Sequence, residues 1–233
     1  MEIKIDITKD KAKNQFYEMQ HEKSTAAIIY TDGSGIKGKI GAAICDATRN
    51  ETRHQHLGKG TNYNVFTAEL AAVQLAIETL RDNHDRTEWR IYTDSQSAIR
   101  AINNPHRQSG QAIIKEILDC VDDINDKHPH LRIKIIWIPG HAKIDGNERA
   151  DAEAKKAAIH SPTSRSYNHR PLKSARIRTI KEMAKKQWDK EWNENTKTAK
   201  ALRRITKSKG VKTGPKLYNE IPGRDTVTKI VQL

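Results

Sequence analysis

The chain has 233 residues, and its 42 Lys and Arg against 29 Asp and Glu give a formal net charge of +13, which indicates a basic protein of one or two domains. No apolar run approaches the roughly 18–20 residues of a membrane span, and the charged amino terminus is unlike a secretion signal. Cys45 and Cys120 form no CxxC pair, which argues against a zinc finger or a disulfide framework and fits a reducing, intracellular location, nuclear or cytoplasmic.

The excess positive charge lies entirely in the carboxy-terminal third of the chain. Residues 161–233 hold 19 Lys and Arg against 6 Asp and Glu, whereas residues 1–160 hold 23 of each. This asymmetry indicates an acidic polymer as partner, with nucleic acid ahead of an anionic membrane surface, and we expect no membrane partner. A tail that only improves solubility is the simpler alternative.

The first half of the chain predicts a short amino-terminal segment followed by strands and a helix. Residues 1–23 are polar and charged, and we expect a leader or linker with a short helix near residues 16–19. A folded domain is then expected over residues 24–160. Its first strands are predicted at 26–31, 41–46 and 51–58, with a turn at 32–35 after the first of them. A helix over 66–80 follows, because apolar residues recur there at helical spacing.

The rest of the domain alternates helices with strands. Strands are predicted at 89–94 and 133–138, and helices over 97–102, 111–124 and 148–158. This order predicts an α/β fold with a mixed, five-stranded sheet and helices on both faces. Beyond it, residues 161–233 are expected to form a basic, partly helical extension: a linker, an amphipathic helix over 177–192 and a flexible tail.

Four acids stand out by their positions in these elements. Asp32 and Asp94 each follow a predicted strand, Glu69 lies in the helix over 66–80, and Asp151 lies in the last helix of the domain. A single Asp at a strand end is more often a turn residue or a helix N-cap. Glu69 is different, because an unpaired carboxylate among Ala and Leu is costly unless a cation meets it. Converging carboxylates without cysteine favour Mg²⁺ or Mn²⁺ over Zn²⁺, and two such ions can drive phosphodiester hydrolysis.

The strings that carry these acids resemble, in the same order, those of the type 1 ribonuclease H domain: YTDGSG (30–35), TAEL (67–70), YTDSQS (92–97) and WIPGHAKIDGNERADAEA (137–154). The resemblance implies a ribonuclease H-like fold and endonucleolytic hydrolysis of the RNA strand of RNA–DNA hybrids by a two-metal-ion mechanism. It also implies that two Mg²⁺ ions, with Mn²⁺ as the possible substitute, are bound by Asp32, Glu69, Asp94 and Asp151.

The same resemblance assigns roles to four further residues. It places His141 on a mobile loop, where it assists proton transfer or product release. It places Ser34, Asn64 and Gln96 against the backbone or the minor groove of the hybrid. Small polar side chains suit recognition of 2′-hydroxyls, and the ordinary pKa of histidine suits proton transfer near neutral pH. Asn147 is predicted to cap the last helix of the domain.

The sequence also departs from the family pattern. Many members grip the hybrid with a basic helix and loop after the second helix, but the corresponding string, NNPHRQSGQA (103–112), has Arg107 as its one charged residue. The whole pattern resembles the ribonuclease H portion of a non-LTR retrotransposon reverse transcriptase polyprotein. A catalytically inactive, transposon-derived nucleic-acid-binding module stays open as the alternative. Another nuclease of the wider superfamily fits the GHA and NERAD strings poorly.

Overall fold

The computed structural model of the protein describes residues 1–5, 8–21, 25–83, 85–159 and 171–194. These residues form a six-stranded mixed sheet in the order β1-β6-β5-β2-β3-β4, with helices on both faces. The strands are β1 (Glu2–Lys4), β2 (Ala27–Ile36), β3 (Lys39–Asp46), β4 (Glu51–Lys59), β5 (Glu88–Thr93) and β6 (Arg132–Trp137). The helices are α1 (Lys9–His21), α2 (Val65–Arg81), α3 (Gln96–Asn103), α4 (Gln111–Lys127), α5 (Asp145–Ile159) and α6 (Lys173–Glu194). The predicted α/β class is confirmed.

The hairpin of β2 and β3 differs from the prediction in the position of its turn. The string DGSG was expected to form the turn, but β2 continues through it, and Gly33 and Gly35 pair with Ala42 and Ile40 of β3. The chain turns instead at Lys37 and Gly38, where φ is 49° and 73°. The glycines of the string therefore serve the packing of the sheet rather than the turn.

The sheet separates two hydrophobic clusters, because successive side chains of a strand point to opposite faces. One cluster joins Ile29, Ile91 and Ile135 of the central strands to helices α2, α3 and α4. The other joins Tyr30, Tyr92 and Ile136, the next residues along the same strands, to helices α1 and α5. The central strands β2 and β5 are thus covered on both sides, which makes them a rigid base for side chains at their ends.

The amino-terminal segment belongs to this folded unit and is not the leader or linker that the sequence suggested. Strand β1 pairs in parallel with β6, placing Ile3 beside Ile135, and it adds the sixth strand to the predicted five. Helix α1 buries Ala12, Phe16 and Met19. The short helix predicted near residues 16–19 lies within α1, but the sequence obscured its length and its burial, because the buried side chains of α1 lie among charged ones. Strand β1 was missed because it is three residues long.

The carboxy-terminal part of the folded unit includes the start of α6. Leu172 and Ala175 are buried, and the amide of Leu172 donates a hydrogen bond of 3.2 Å to the carbonyl of Asn62. The compact unit spans Met1–Arg176 and so extends beyond both ends of the predicted 24–160 domain.

A second unit begins at Ile177. Its described part is the remainder of α6, which contains the amphipathic helix predicted over 177–192 and exposes Ile177, Ile180, Met183 and Trp188. The predicted flexible tail, and the predicted linker up to residue 170, lie outside the described residues. No helix in the described part of the chain has the length and apolar character to cross a membrane.

Candidate active site

Three of the four predicted acids meet at one edge of the sheet. Strands β2 and β5 are parallel neighbours, and Thr31 pairs with Thr93, so Asp32 and Asp94 follow side by side. Helix α2 brings Glu69 to the same place. Each of the three acids offers a carboxylate oxygen, and these oxygens all lie within 4.8 Å of one another. The ends of adjacent parallel strands are where α/β sheets commonly build their sites.

The close approach of α2 to β2 depends on Gly33. A Cβ atom at this position would lie 2.5 Å from the amide nitrogen of Glu69 and 2.7 Å from Cβ of Ala68. The absence of a side chain therefore lets Glu69 reach the strand ends.

The start of α2 is fixed by a capping box at Asn64. Its Oδ1 accepts a hydrogen bond of 2.9 Å from the amide of Thr67, and its own amide donates to Oγ1 of Thr67 at 3.2 Å. In the structure its side-chain oxygen begins the helix that carries Glu69, and the predicted contact of Asn64 with a hybrid stays a prediction.

Asp32 and Glu69 are buried and Asp94 is half-buried, and the pKa values of all three carboxyl groups are raised. Burial, followed by the charges of Asp94 and Asp151, raises the pKa of Asp32 to about 8. Burial and the neighbouring carboxylates, Asp32 first among them, raise the pKa of Glu69 well above its usual value. Burial also raises the pKa of Asp94. In addition, Glu69 Oε2 is buried without a hydrogen-bond partner among the described residues. The residues therefore fit a divalent cation, which would offset the repulsion and supply the missing partner.

The fourth predicted acid, Asp151, lies on α5 beside this triad rather than within it. Its Oδ2 accepts a hydrogen bond of 2.5 Å from Nζ of Lys155, one helical turn further on. Its charge nevertheless contributes to the raised pKa values of Asp32, Glu69 and Asp94. Asp151 is thus close enough to interact electrostatically with all three acids.

The segment between β6 and α5 packs against Asp94. A Cβ atom on Gly140 would lie 2.7 Å from Oδ2 of Asp94, so the backbone of this segment lies directly over the carboxylate. His141 follows, with an exposed side chain and a φ of 56°. Its positive charge, when present, acts with a hydrogen bond from Asn147 to lower the pKa of Asp94 against the larger effect of burial.

Asn147 does not cap the last helix as predicted. Helix α5 begins two residues earlier, at Asp145, and Asn147 is buried within its first turn. Its Nδ2 lies 3.5 Å from Oδ2 of Asp94, and its Oδ1 is buried without a partner in the described part of the chain. The sequence places a polar residue near the helix start, but which side chain points inward depends on how α5 packs against the sheet.

Ser34 and Gln96 each lie two residues after one of the clustered acids, Asp32 or Asp94. Ser34 follows Asp32 by two residues on β2, so both side chains point to the same face of the sheet. Gln96 begins α3, and its Oε1 accepts a hydrogen bond of 3.2 Å from Nη2 of Arg100. Their predicted contacts with a hybrid stay predictions.

The chain is similar to part of a viral polyprotein and to several solved structures. It is 29% identical over 138 residues to the Pol polyprotein of equine infectious anemia virus (strain Wyoming), a match that covers 59% of this chain and 11% of the polyprotein. The chain thus spans about a tenth of the length of the curated relatives it matches. The predicted resemblance to the ribonuclease H portion of a polyprotein is confirmed, whereas a non-LTR retrotransposon as its source stays a prediction.

Among solved structures, the RNase H1 of the halophilic archaeon Halobacterium salinarum is 17% identical with a TM-score of 0.42, covering 57% of this chain and 96% of that one. LC11-RNase H1 in complex with an RNA/DNA hybrid is 20% identical with a TM-score of 0.42, covering 56% and 98%. The protease–reverse transcriptase of prototype foamy virus is 20% identical with a TM-score of 0.47, covering 61% and 22%.

The family comparison covers the whole candidate site. The model of the family described as RNase H matches residues 24–159, which include Asp32, Glu69, Asp94, Asp151 and the segment that carries His141. Because that match takes in more than half of the chain and all four acids, the chain belongs to the ribonuclease H family.

Proposed function

We propose that the chain hydrolyses the RNA strand of RNA–DNA hybrids as an endonuclease that depends on a divalent cation. One observation carries the proposal: Glu69 Oε2 is buried without a partner in the described part of the chain, within a cluster that also contains the carboxylates of Asp32 and Asp94. An unsatisfied buried carboxylate oxygen is costly, and a cation would satisfy it. Membership of the ribonuclease H family supports RNA–DNA hybrids as the substrate class.

The donor set favours Mg²⁺, with Mn²⁺ as the substitute, because all the ligand atoms of the cluster are carboxylate oxygens. Asp32, Glu69 and Asp94 would bind the ions. Asp151 would also bind them, because its charge contributes to the raised pKa values of all three acids. When bound, two such ions activate a water molecule and stabilise the leaving oxygen of a phosphodiester. The protein supplies the fixed geometry, since Gly33 and the Asn64 cap set the position of α2.

His141 is the candidate for moving a proton at this site. It is exposed, and it directly follows Gly140, whose backbone lies against the Asp94 carboxylate. From this position the imidazole could exchange a proton with the reacting phosphate or assist the release of the product.

Three polar residues would contact the hybrid. Ser34 and Gln96, which follow Asp32 and Asp94 by two residues, would meet 2′-hydroxyls or the backbone beside the cleaved bond. Asn64 would contribute its amide nitrogen, because its oxygen already caps α2.

The basic extension would add affinity for nucleic acid. Residues 161–233 hold the whole excess of positive charge, and within the described residues Lys181, Lys185 and Lys186 of α6 are exposed. Lysines that neutralise phosphates release counterions and strengthen binding without reading the sequence. The extension would therefore substitute for the basic helix and loop that many family members carry and that the segment around Arg107 lacks.

The test is a cleavage assay on the full chain. Labelled RNA–DNA hybrid, single-stranded RNA and double-stranded DNA are incubated with the purified protein in Mg²⁺ or in EDTA, and Asp94→Asn prepared in parallel is the matched control. We expect the wild type to release RNA fragments from the hybrid in Mg²⁺, but not from the other two substrates and not in EDTA. Asp94→Asn should release none. Hybrid binding without cleavage would contradict the proposal and support an inactive binding module. Equal cleavage of DNA would identify a different nuclease.

A further inference from the structure

Helix α1 lies outside the residues that match the family, yet it is fixed to one of the two strands that carry the acids. Nη1 of Arg90 on β5 donates a hydrogen bond of 2.8 Å to the carbonyl of Met19, near the end of α1. The Nε of the same guanidinium donates to Glu88 at 2.7 Å, which holds it in place. Arg90 is itself buried, so this contact anchors the helix to the sheet from within the fold.

Phe16 of α1 packs against a stacked pair of tyrosines. The rings of Tyr30 on β2 and Tyr92 on β5 are 5.3 Å apart and nearly parallel, with an interplanar angle of 24°. The ring of Phe16 meets both edge to face, at 5.2 Å from Tyr92 and 6.4 Å from Tyr30. All three side chains are at most 3% exposed. Phe16 therefore contacts both strands at once through a geometry that aromatic rings favour.

This aromatic group lies just before Asp32 and Asp94 along the two strands. Tyr30 pairs with Tyr92 in the parallel register, and each precedes an acid, Asp32 or Asp94, by two residues. Two residues of a parallel strand span about 6.6 Å, and residues two apart point to the same face. The stacked rings and the carboxylates are therefore successive layers on one side of the same strand pair.

We propose that Phe16 is a positioning residue for the cation site: by packing against Tyr30 and Tyr92, it fixes the spacing of β2 and β5 where these strands deliver Asp32 and Asp94. A cation site requires its ligands to be held at set distances from one another, and the spacing of β2 and β5 sets the distance between Asp32 and Asp94. The packed rings hold that spacing before a cation binds. The inference rests on the proposed function for the assignment of these acids as cation ligands.

The experiment measures Mg²⁺ binding to the full chain by titration calorimetry without nucleic acid, comparing the wild type with Phe16→Leu. Phe16→Leu removes the ring and keeps an apolar side chain. We expect its Mg²⁺ affinity to fall about three- to tenfold, below the 10–100-fold typical of residues that hydrogen-bond a metal ligand directly. Cleavage of hybrid should need correspondingly more Mg²⁺, while kcat at saturating Mg²⁺ stays within about twofold of the wild type.

The matched control is Ile124→Val on α4, a buried residue on the opposite face of the sheet. It should lower thermal stability by a similar amount and leave Mg²⁺ affinity unchanged. Phe16→Met serves as a second variant if Phe16→Leu does not fold.

Wild-type Mg²⁺ affinity in a folded Phe16 variant, or an equal loss of Mg²⁺ affinity in Ile124→Val, would overturn the inference. A wild-type chain that binds Mg²⁺ but cleaves no hybrid would refute the proposed function alone, since the calorimetric comparison still decides the role of Phe16. A wild-type chain that binds no Mg²⁺ would refute both.

Discussion

The backbone of Gly33 lies directly against the backbone of Glu69. A Cβ atom on Gly33 would come within 2.5 Å of the amide nitrogen of Glu69, a distance that Cβ atoms in proteins essentially never show. This contact sets the distance between β2 and α2, and with it the distance between the carboxylates of Asp32 and Glu69.

Gly33→Ala should therefore disturb the fold and the cation site together. The added methyl group must push α2 away from β2, and overpacking of this kind lowers the free energy of unfolding by about 1–3 kcal/mol. We expect a lower Tm in calorimetry and weaker Mg²⁺ binding. Gly35→Ala is the matched control, because its Cβ would meet side-chain atoms of Val65 at 3.1 Å and of Ile40 at 3.3 Å, which can move more readily. Equal effects of the two substitutions would show that the close approach at Gly33 is not what sets the site.

The acids could be predicted from the sequence because their positions follow from general rules. Asp32 and Asp94 each follow a run of apolar residues, and the two runs pair in parallel, so the acids that come next lie side by side. Glu69 stands out because a charge in an apolar helix needs a partner.

Other features could not be predicted, because they depend on contacts between distant segments. The glycines after Asp32 are typical of a turn, but Gly33 is required by helix α2, more than thirty residues later in the chain. Asn147 has the sequence position of a helix cap, and only the packing of α5 turns it toward Asp94. Helix α1 shows few apolar residues among charges, and the role of Phe16 becomes visible only beside Tyr30 and Tyr92.

Asp94→Asn should abolish cleavage and leave the fold intact. The substitution removes one ligand charge, while the amide oxygen can still accept the hydrogen bond from Asn147. Because the charge of Asp94 raises the pKa values of Asp32 and Glu69, its loss should also raise the Tm measured in EDTA. Cleavage rates on labelled hybrid and thermal unfolding in EDTA check the two expectations. A rate within about twofold of the wild type would refute the role of Asp94 as a cation ligand.

The stability of the metal-free protein should decrease as pH rises. The pKa of Asp32 is raised from 3.8 to about 8, so between these values the folded chain binds a proton that the unfolded chain releases. The contribution of Asp32 to the free energy of unfolding is therefore present below the unfolded pKa and is lost as pH rises through the folded one. Thermal unfolding in EDTA should show the wild type losing stability relative to Asp32→Asn between about pH 5 and pH 8. A pH-independent difference between the two chains would contradict the raised pKa.

His141→Ala should slow turnover by about 10²-fold or less, at the lower end of general acid–base effects, since bound cations can still activate water. The loss should be larger in multiple-turnover than in single-turnover assays if the imidazole assists product release. The matched control is Lys143→Ala, which removes another exposed side chain with positive φ from the same segment. Steady-state kinetics that match the wild type across neutral pH would leave His141 without a catalytic role.

Removing positive charge from α6 should weaken hybrid binding and its dependence on salt. Lys181, Lys185 and Lys186 are exposed, and changing all three to Gln leaves the carboxylates of the candidate site untouched. Each phosphate that a lysine no longer neutralises lowers the slope of log affinity against log salt by roughly 0.9 on duplex, so the slope of the triple variant should fall by up to about 2.7. Its kcat at saturating hybrid should be that of the wild type, since the acids and His141 are unchanged.

The matched control changes Lys115 and Lys127 of α4, which are exposed and already paired with Asp119 and Asp123. Affinities and salt slopes measured by fluorescence anisotropy on labelled hybrid should separate the two sets. If the triple variant matches the wild type in affinity and in salt slope, α6 does not bind the hybrid through these lysines. Binding of the substrate must then come from the folded unit that carries the acids.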